Sequence, residues 1–350
     1  MSRFFSEQHA ALTPYTPGEQ PQDKQYIKLN TNESPFPPSP KAQAYAQRES
    51  AKVQLYSDPT CAALVKTGAA YFGVGEDEII FTNGSDDILN FAFMAFCDEK
   101  HPAAFPDITY GFYSVFAELQ HVPYTLLPLR EDYTVNVEDY IGIHKNIFIA
   151  NPNAPTGIAL PRSEIERILR SNPDNIVVVD EAYVDFGGET CVPLIHQYPN
   201  LLVTQTFSRS RSLAGARLGM GIACRELIQD LNTLRYSTNP YNVNRMTMAA
   251  GIGAIRDEAT TRANCAAVAK TREWTKAELE RLGFECTDSK TNFLFAGHPR
   301  LDGKWLYEQL KERGILIRHF EKERIRNYNR ITIGSKEQMQ ILIDKIGELL

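Results

Sequence analysis

Residues 204–219, TQTFSRSRSLAGARLG, decide how the rest of this chain is interpreted. A short β-like run, residues 201–207, leads into a turn that is rich in hydroxyl groups (Thr206, Ser208, Ser210 and Ser212). Small residues follow, up to Arg217 and Gly219. Hydroxyls beside an arginine, whose planar guanidinium is always charged, suit the binding of a phosphate group. A serine-rich loop alone is usually a solvated turn, so the interpretation depends on the segments upstream.

Two upstream segments have the pattern of a buried strand that ends in polar residues. Residues 175–183 read NIVVVDEAY, and a continuous β-branched run before Asp180 is typical of a parallel strand covered on both faces. Because α/β sheets bind ligands at the carboxyl ends of their strands, Asp180 is a candidate binding residue. Residues 79–87 read IIFTNGSDD, which predicts a strand and then a helix capped by Ser85, where an anion could bind. Plain capping explains this serine equally well, and a strand-end aspartate is often structural.

Length and composition exclude several classes of function. The 350 residues favour two domains, one large and one small. A net charge of −6 without a basic stripe disfavours nucleic acid as a partner. The six cysteines lack the spacing of a zinc site, so we expect no metal and a reducing, cytoplasmic location. The N-terminus lacks the apolar core of a signal peptide, and no run is long enough for a membrane span.

The chain as a whole resembles the pyridoxal-phosphate (PLP) aminotransferases of fold type I, class I and II, and most closely the histidinol-phosphate aminotransferases. The resemblance rests on motifs that occur in the family's order over most of the chain: NGSD (83–86), PDITYGFY (106–113), NPNAPTG (151–157), DEAY (180–183), SRSRSLAGARLG (208–219) and RITIG (330–334). It implies an α/β fold with a mostly parallel seven-stranded sheet in a large domain, and a small α+β domain. The expected boundaries are an N-terminal arm, 1–40, that joins the small domain, a large PLP-binding domain, 41–255, and a small domain, 256–350.

The resemblance also implies a role for individual residues. Asp180 would partner the cofactor's ring nitrogen, Tyr183 would bond the ring hydroxyl, and Tyr110 would stack on the ring. The cofactor phosphate would be held by Ser85, Asp86, Thr206, Ser208, Arg217 and, across the interface of a homodimer, the partner's Tyr56. The substrate would contact Tyr15, Asn32, Arg318 and Arg330.

Two positions depart from the family pattern. Arg209 stands where the family has the lysine that forms a Schiff base with PLP, and Ala154 stands where it has the asparagine that bonds the ring hydroxyl. Asn153, next to Ala154, is the candidate to replace that bond. Arginine remains protonated at physiological pH, so it is neither a nucleophile nor a base. Three explanations stay open: an active-site variant made to trap a complex, a natural homologue that has lost activity, or a shifted alignment.

The reaction that the resemblance implies belongs to histidine biosynthesis. Histidinol phosphate and 2-oxoglutarate would be converted to imidazole-acetol phosphate and glutamate, with impaired activity if Arg209 replaces the catalytic lysine. A PLP-dependent decarboxylase of amino-acid phosphates on the same scaffold is one alternative. A homologue that binds PLP or another ligand without catalysis is the other. The expected partners are small-molecule amino donors and acceptors and a second copy of the chain.

Overall fold

The computed structural model describes residues 2–350, which form thirteen strands and ten α-helices. The strands are β1 (Ile27–Lys28), β2 (Ile79–Thr82), β3 (Ala103–Pro106), β4 (Tyr124–Leu127), β5 (Asn146–Ala150), β6 (Val177–Asp180), β7 (Leu201–Thr206), β8 (Gly219–Ala223), β9 (Glu285–Cys286), β10 (Phe293–Gly297), β11 (Ile315–Leu316), β12 (Arg318–His319) and β13 (Tyr328–Thr332). The helices are α1 (Pro40–Ser50), α2 (Ala62–Phe72), α3 (Ser85–Phe96), α4 (Phe112–Leu119), α5 (Arg162–Ser171), α6 (Arg225–Thr238), α7 (Arg245–Ile255), α8 (Glu258–Arg281), α9 (Gly303–Glu312) and α10 (Lys336–Gly347).

A seven-stranded sheet forms the centre of the molecule, in the order β2-β8-β7-β6-β5-β3-β4. The pairs from β7 across to β4 are parallel, whereas β8 is antiparallel to both of its neighbours. The predicted mostly parallel seven-stranded sheet is therefore confirmed. Strand β6 shows why the sequence specifies it: Val177 and Val179 pack into one apolar core and Val178 into a second core on the opposite face.

A smaller antiparallel sheet, in the order β12-β13-β10-β9, packs against α8 and α10 around a third apolar core. Helix α10 begins with the expected capping box between Ser335 and Gln338. Strand β1 pairs with β11, so the N-terminal segment is hydrogen-bonded to the C-terminal part of the chain. This pairing is what an N-terminal arm that joins the small domain requires. The domain boundaries after residues 40 and 255 stay a prediction. No helix in residues 2–350 combines the length and the apolar character that a membrane crossing requires.

The start of α3 differs from the prediction. Ser85 is the first residue of the helix, Gly84 occupies the cap position, and no side chain caps the helix. The cause lies in the neighbouring strand, because a Cβ atom at Gly219 would lie 2.1 Å from the Ser85 nitrogen. Strand β8 therefore begins directly against the helix N-terminus, where Gly84 adopts a positive φ of 87°. As a result, the Ser85 side chain is not used as a cap.

Candidate active site

The carboxyl ends of β5, β6 and β7 meet at one edge of the sheet and enclose a pocket. Its walls combine carboxylates, hydroxyls, two arginines and two tyrosines: Ser85, Asp86, Tyr110, Ala150, Ala154, Asp180, Ala182, Tyr183, Thr206, Ser208, Arg209 and Arg217. A larger outer cavity of about 510 Å³ shares Tyr110, Tyr183 and Arg209 with it and extends towards the N-terminal arm and β13. Eight of the predicted cofactor-binding residues and Arg209, at the predicted catalytic position, thus line one pocket, although their positions in the sequence span 85 to 217.

Asp180 forms the floor of the inner pocket, and only 4% of its surface is exposed. The Tyr113 hydroxyl donates to its Oδ2 at 3.1 Å and the Ala182 amide to its Oδ1 at 3.2 Å. Burial raises the pKa of this carboxyl from its ordinary value of 3.8 to about 7, against the lowering effect of the bond from Tyr113. The charge of Arg209 lowers this pKa slightly from a distance, but no cation in residues 2–350 forms an ion pair with Asp180.

Arg217, Ser208 and Thr206 form one corner of the pocket, opposite the start of α3. The Ser208 amide donates to Thr206 Oγ1 at 3.1 Å, and Arg217 Nη1 lies 3.5 Å from Ser208 Oγ. Arg217 has a left-handed backbone, with φ of 54°, which is uncommon for a residue with a side chain. A Cβ atom at Gly84 would lie 2.4 Å from Arg217 Nη2, so a glycine leaves room for this guanidinium. Hydroxyls, a guanidinium and a helix N-terminus converge here, which is the donor set for a phosphate.

Asp86 links this corner to the aromatic wall of the pocket. Its Oδ2 accepts from Arg217 Nη2 at 2.8 Å and its Oδ1 accepts from the Tyr110 hydroxyl at 2.8 Å. Burial and the neighbouring Asp86 carboxylate raise the pKa of Tyr110, so this tyrosine remains a donor. Because a carboxylate repels a phosphate, the side chain of Asp86 orients Arg217 and Tyr110, and only its backbone N–H could face an anion.

Arg209 extends from the end of β7 towards the N-terminal arm. Its Nη1 donates to the carbonyls of Thr31 at 2.8 Å and Asn32 at 3.2 Å, and its guanidinium lies 5.6 Å from the centre of the Tyr183 ring. Its Nε is buried and has no hydrogen-bond partner in residues 2–350. Burial lowers the pKa of Arg209, but Tyr183, Tyr110 and Asp86 outweigh it, so the pKa is raised and the side chain stays cationic.

Asn32 and Tyr183 form a second hydrogen-bonded unit at the pocket wall. Asn32 Nδ2 donates to the Tyr183 hydroxyl at 2.8 Å, and Thr332 Oγ1 donates to Asn32 Oδ1 at 2.9 Å. The Asn32 amide is buried and its backbone has a φ of 55°. Asn32, predicted as a substrate contact, thus orients Tyr183 and leaves the tyrosine proton free to be donated into the pocket.

The structure leaves two of the predicted residues outside the pocket. The Asn153 amide is buried and fully engaged, because it donates to the Ile108 carbonyl and Thr156 Oγ1 and accepts from Thr109 Oγ1. Ala154, and not Asn153, lines the inner pocket. Tyr56 is 80% exposed and stacks on Tyr241, with ring centres 4.6 Å apart, on the surface of its own chain.

The substrate residues that the sequence indicated line the outer cavity. Tyr15 stacks on Phe112, with ring centres 4.1 Å apart. Arg330 donates from Nη2 to the Asn30 carbonyl at 3.0 Å, while its buried Nε has no partner in the described chain. Burial lowers the pKa of Arg330. Arg318 is instead engaged with the N-terminal arm, because its two terminal nitrogens donate to the carbonyls of Thr16 and Pro17.

Sequence reasoning missed two residues that shape the site. Tyr113 supplies the hydroxyl that bonds Asp180, and the only available signal was its place in the tyrosine-rich segment 106–113. Glu181 is 1% exposed and accepts hydrogen bonds from Gln205 and Thr190, which joins β6 to β7 behind the pocket. A glutamate beside a strand-end aspartate gave no reason to expect a buried carboxyl.

The residues present fit pyridoxal phosphate. The observations are an anion corner at Arg217, Ser208 and the α3 N-terminus, and a buried carboxyl, Asp180, that lacks a positive partner. An aromatic wall, Tyr110, lies between them. A flat cationic ring with a phosphate arm matches this arrangement in charge at both ends. The fold and the site together define a PLP enzyme of fold type I.

Comparison with known proteins identifies the family within that class. The sequence model of aminotransferase class I and II matches residues 24–346. Histidinol-phosphate aminotransferase of Marinomonas sp. (strain MWYL1) is 49% identical over 346 residues, which is 98% of each chain. That of Brachyspira hyodysenteriae is 47% identical over 352 residues, which is 100% of this chain and 99% of the relative. The crystal structure of histidinol-phosphate aminotransferase from Sinorhizobium meliloti in complex with pyridoxal-5'-phosphate superposes with a TM-score of 0.89 at 20% identity, covering 100% of this chain and 99% of the other. This chain belongs to the class I and II aminotransferases and, within them, to the histidinol-phosphate aminotransferase family.

Proposed function

We propose that this chain binds PLP and the substrates of histidinol-phosphate aminotransferases, and that Arg209 keeps the cofactor from being bound covalently. The family reaction transfers the amino group of histidinol phosphate to 2-oxoglutarate, giving imidazole-acetol phosphate and glutamate. The observation that carries the proposal is the full-length identity of 44–49% to relatives of that name, combined with a pocket whose charges match PLP. Full-length relatives of that name make the alternative, an amino-acid phosphate decarboxylase, less favoured.

The cofactor end of the proposal rests on Asp180 and on the corner around Arg217. PLP supplies, when bound, a conjugated ring that accepts the electron pair released at the carbon bearing the amino group. Asp180 would hold the proton on the ring nitrogen, since its buried carboxylate lacks any other positive partner. Arg217, Ser208 and the Ser85 hydroxyl would bind the phosphate. Tyr183, oriented by Asn32, would donate its proton to the ring hydroxyl, which also compensates for alanine at position 154.

The substrate end rests on Arg330. Its guanidinium lines the outer cavity, and its one hydrogen bond within residues 2–350 is from Nη2 to the Asn30 carbonyl, so Nη1 is left for an anionic group. A phosphate or carboxylate matches the planar fork of an arginine. Arg318 is committed to the arm, and we assign it to holding Tyr15 over the cavity.

Arg209 determines how far this chain can proceed with the reaction. Its guanidinium stays protonated, so it can neither attack the cofactor aldehyde nor move a proton from the substrate. Binding without turnover is therefore the second candidate function for the chain as written. A substitution made to trap a complex and a natural loss of activity lead to the same chemistry. The place of Arg209 in the wall of the pocket, which Tyr183 and Asp86 also line, argues against a shifted alignment.

The proposal includes a homodimer in the cytoplasm. Tyr56 and its neighbour Leu55 are 80% and 57% exposed, and Tyr241, which stacks on Tyr56, is 43% exposed. An exposed aromatic surface of this kind is typical of an interface. In the proposed dimer, the partner's Tyr56 would complete the phosphate corner.

Borohydride reduction tests the proposal directly. We expect the unchanged chain to bind PLP, seen as a new visible absorbance band, and to lose it completely on denaturation after borohydride treatment. Arg209→Lys should instead retain the cofactor covalently, seen as a single added mass in the intact protein. Arg211→Lys is the matched control, because Arg211 packs between the Tyr71 and Phe207 rings and does not line the pocket. A folded, PLP-binding Arg209→Lys protein that borohydride leaves unmodified would refute the alignment of this segment.

A further inference from the structure

The loop between β12 and β13, residues 320–327, crosses from the small sheet to the large domain at the mouth of the outer cavity. Ile325 is 2% exposed and packs into the large-domain core, beside residues such as Leu129 and Val135. Phe320 and Tyr328, at the two ends of the loop, pack against the same core. The loop is thus built into both parts of the molecule.

Arg324 anchors this loop with a set of bonds to the large domain. Its Nη1 donates to Asp107 Oδ2 at 2.8 Å, and its Nη2 donates to the carbonyls of Leu129 at 2.9 Å and Arg130 at 3.1 Å. Asp107 is itself fixed, since its Oδ1 accepts from the Leu129 amide at 2.9 Å. Lys322 adds a bond to the Asp107 carbonyl. Because the Arg324 guanidinium donates from both of its terminal nitrogens, it is held in one orientation.

The other end of the loop carries Phe320, which lines the cavity and lies beside Arg330, the proposed substrate residue, and Arg318, which holds the arm. The Arg318 and Arg330 guanidinium carbons lie 5.8 Å and 5.9 Å from the centre of its ring. These distances are within the range of a cation–π contact. The position of the Phe320 ring therefore affects the orientation of Arg330, which lines the same cavity.

We infer that Arg324 is a positioning residue for recognition of the substrate's phosphate: it fixes the loop, the loop fixes Phe320, and Phe320 orients Arg330. The inference rests on the proposed function, because it assumes that the outer cavity takes histidinol phosphate. It adds a residue that touches neither substrate nor cofactor but sets the preference for a phosphate-bearing substrate. The PLP corner at Arg217 and Ser208 is formed by other elements and should be unaffected.

The test compares histidinol phosphate with histidinol, which lacks the phosphate, by calorimetric titration of the PLP-loaded full chain. Arg324→Gln should weaken binding of histidinol phosphate about 2- to 5-fold, the range for loss of a partly exposed ion pair, and leave the affinities for histidinol and PLP unchanged. Arg324→Lys should restore part of the loss, because an ammonium can pair with Asp107 but cannot reproduce the fork. Phe320→Leu should lose the same preference. Arg326→Gln is the matched control, since that exposed side chain makes no hydrogen bond within residues 2–350.

Each outcome decides the inference. If Arg324→Gln weakens both ligands equally, or neither, the residue is only structural and the inference is wrong. If Arg324→Gln fails to fold, Asp107→Asn replaces it, because that variant removes the charge and keeps the bond to the Leu129 amide. Asp107→Asn should show a smaller loss of affinity for histidinol phosphate relative to histidinol. An unchanged preference for histidinol phosphate over histidinol would refute the inference. If the unchanged chain itself does not prefer histidinol phosphate, the proposed function fails and this inference fails with it.

Discussion

Asp180→Asn should stabilise the cofactor-free protein, and the gain should grow with pH. The buried Asp180 carboxyl has its pKa raised from 3.8 to about 7 by burial. Between pH 3.8 and about pH 7 the folded chain binds more protons than the unfolded chain. The free energy of unfolding therefore falls as the pH rises through this range, and it falls no further above about pH 7. Asparagine has the same shape and no charge, so the variant avoids this cost.

The magnitude follows from the two pKa values. At about 1.4 kcal/mol per pH unit, the cost of the ionised carboxyl is roughly 4 kcal/mol above pH 7 and roughly 1–2 kcal/mol at pH 5. A protein of 350 residues has an unfolding entropy of about 0.7 kcal/mol/K, so the expected rise in Tm is about 5 °C at pH 8.5 and about 2 °C at pH 5. Only 4% of Asp180 is exposed, so solvent screening reduces these values little.

Thermal unfolding of the cofactor-free proteins at the two pH values, followed by circular dichroism, is the assay. Asp174→Asn is the control, because Asp174 is exposed and its substitution should change Tm by less than about 1 °C at either pH. The same Asp180→Asn protein should bind PLP at least about 10-fold more weakly, because a neutral amide cannot balance a cationic ring. A gain in Tm that is absent, or equal at both pH values, would refute the description of Asp180 as a buried acid.

Two further predictions concern assembly and the phosphate corner. The protein should sediment as a homodimer at micromolar concentration, and Tyr56→Phe should weaken PLP binding in the dimer; a clean monomer would remove Tyr56 from the site. Gly219→Ala should abolish PLP binding and lower Tm by several degrees, because its Cβ would lie 2.1 Å from the Ser85 nitrogen and 2.3 Å from the Gly84 carbonyl carbon. Gly215→Ala, whose Cβ meets nothing within 4 Å, should change neither property, and equal behaviour of the two variants would contradict the packing of β8 on α3.

Much of the site could be predicted because it follows from strand order. A continuous apolar run predicts a buried parallel strand, and parallel strands place their carboxyl ends at one edge. The ends of β6 and β7 therefore had to meet once the strands paired, with Asp180 opposite Thr204. The two strands are specified locally by their own residues. The sheet and the floor of the pocket could therefore be derived from the sequence with its motifs.

The orientation of individual side chains could not be predicted in the same way. The position of Ser85 depends on contact between β8 and α3, which are separated by more than a hundred residues, and the left-handed Arg217 immediately precedes that contact. Asn32 faces Tyr183 because Thr332 and Asn292 fix it from the far end of the chain. Arg318 contacts the arm because Thr16 and Pro17 present carbonyls to it. Such contacts leave no pattern in the local sequence.

Transamination by the Arg209→Lys protein tests the central claim most directly. With PLP, histidinol phosphate and 2-oxoglutarate, this variant should form glutamate, while the unchanged chain should be slower by at least about 10²–10⁴-fold, the contribution of a positioned acid–base group. A lysine at this position supplies the primary amine and the proton carrier that Arg209 cannot provide. Glutamate formation at the same rate by the unchanged chain, or none by a folded, PLP-loaded Arg209→Lys protein, would contradict the account.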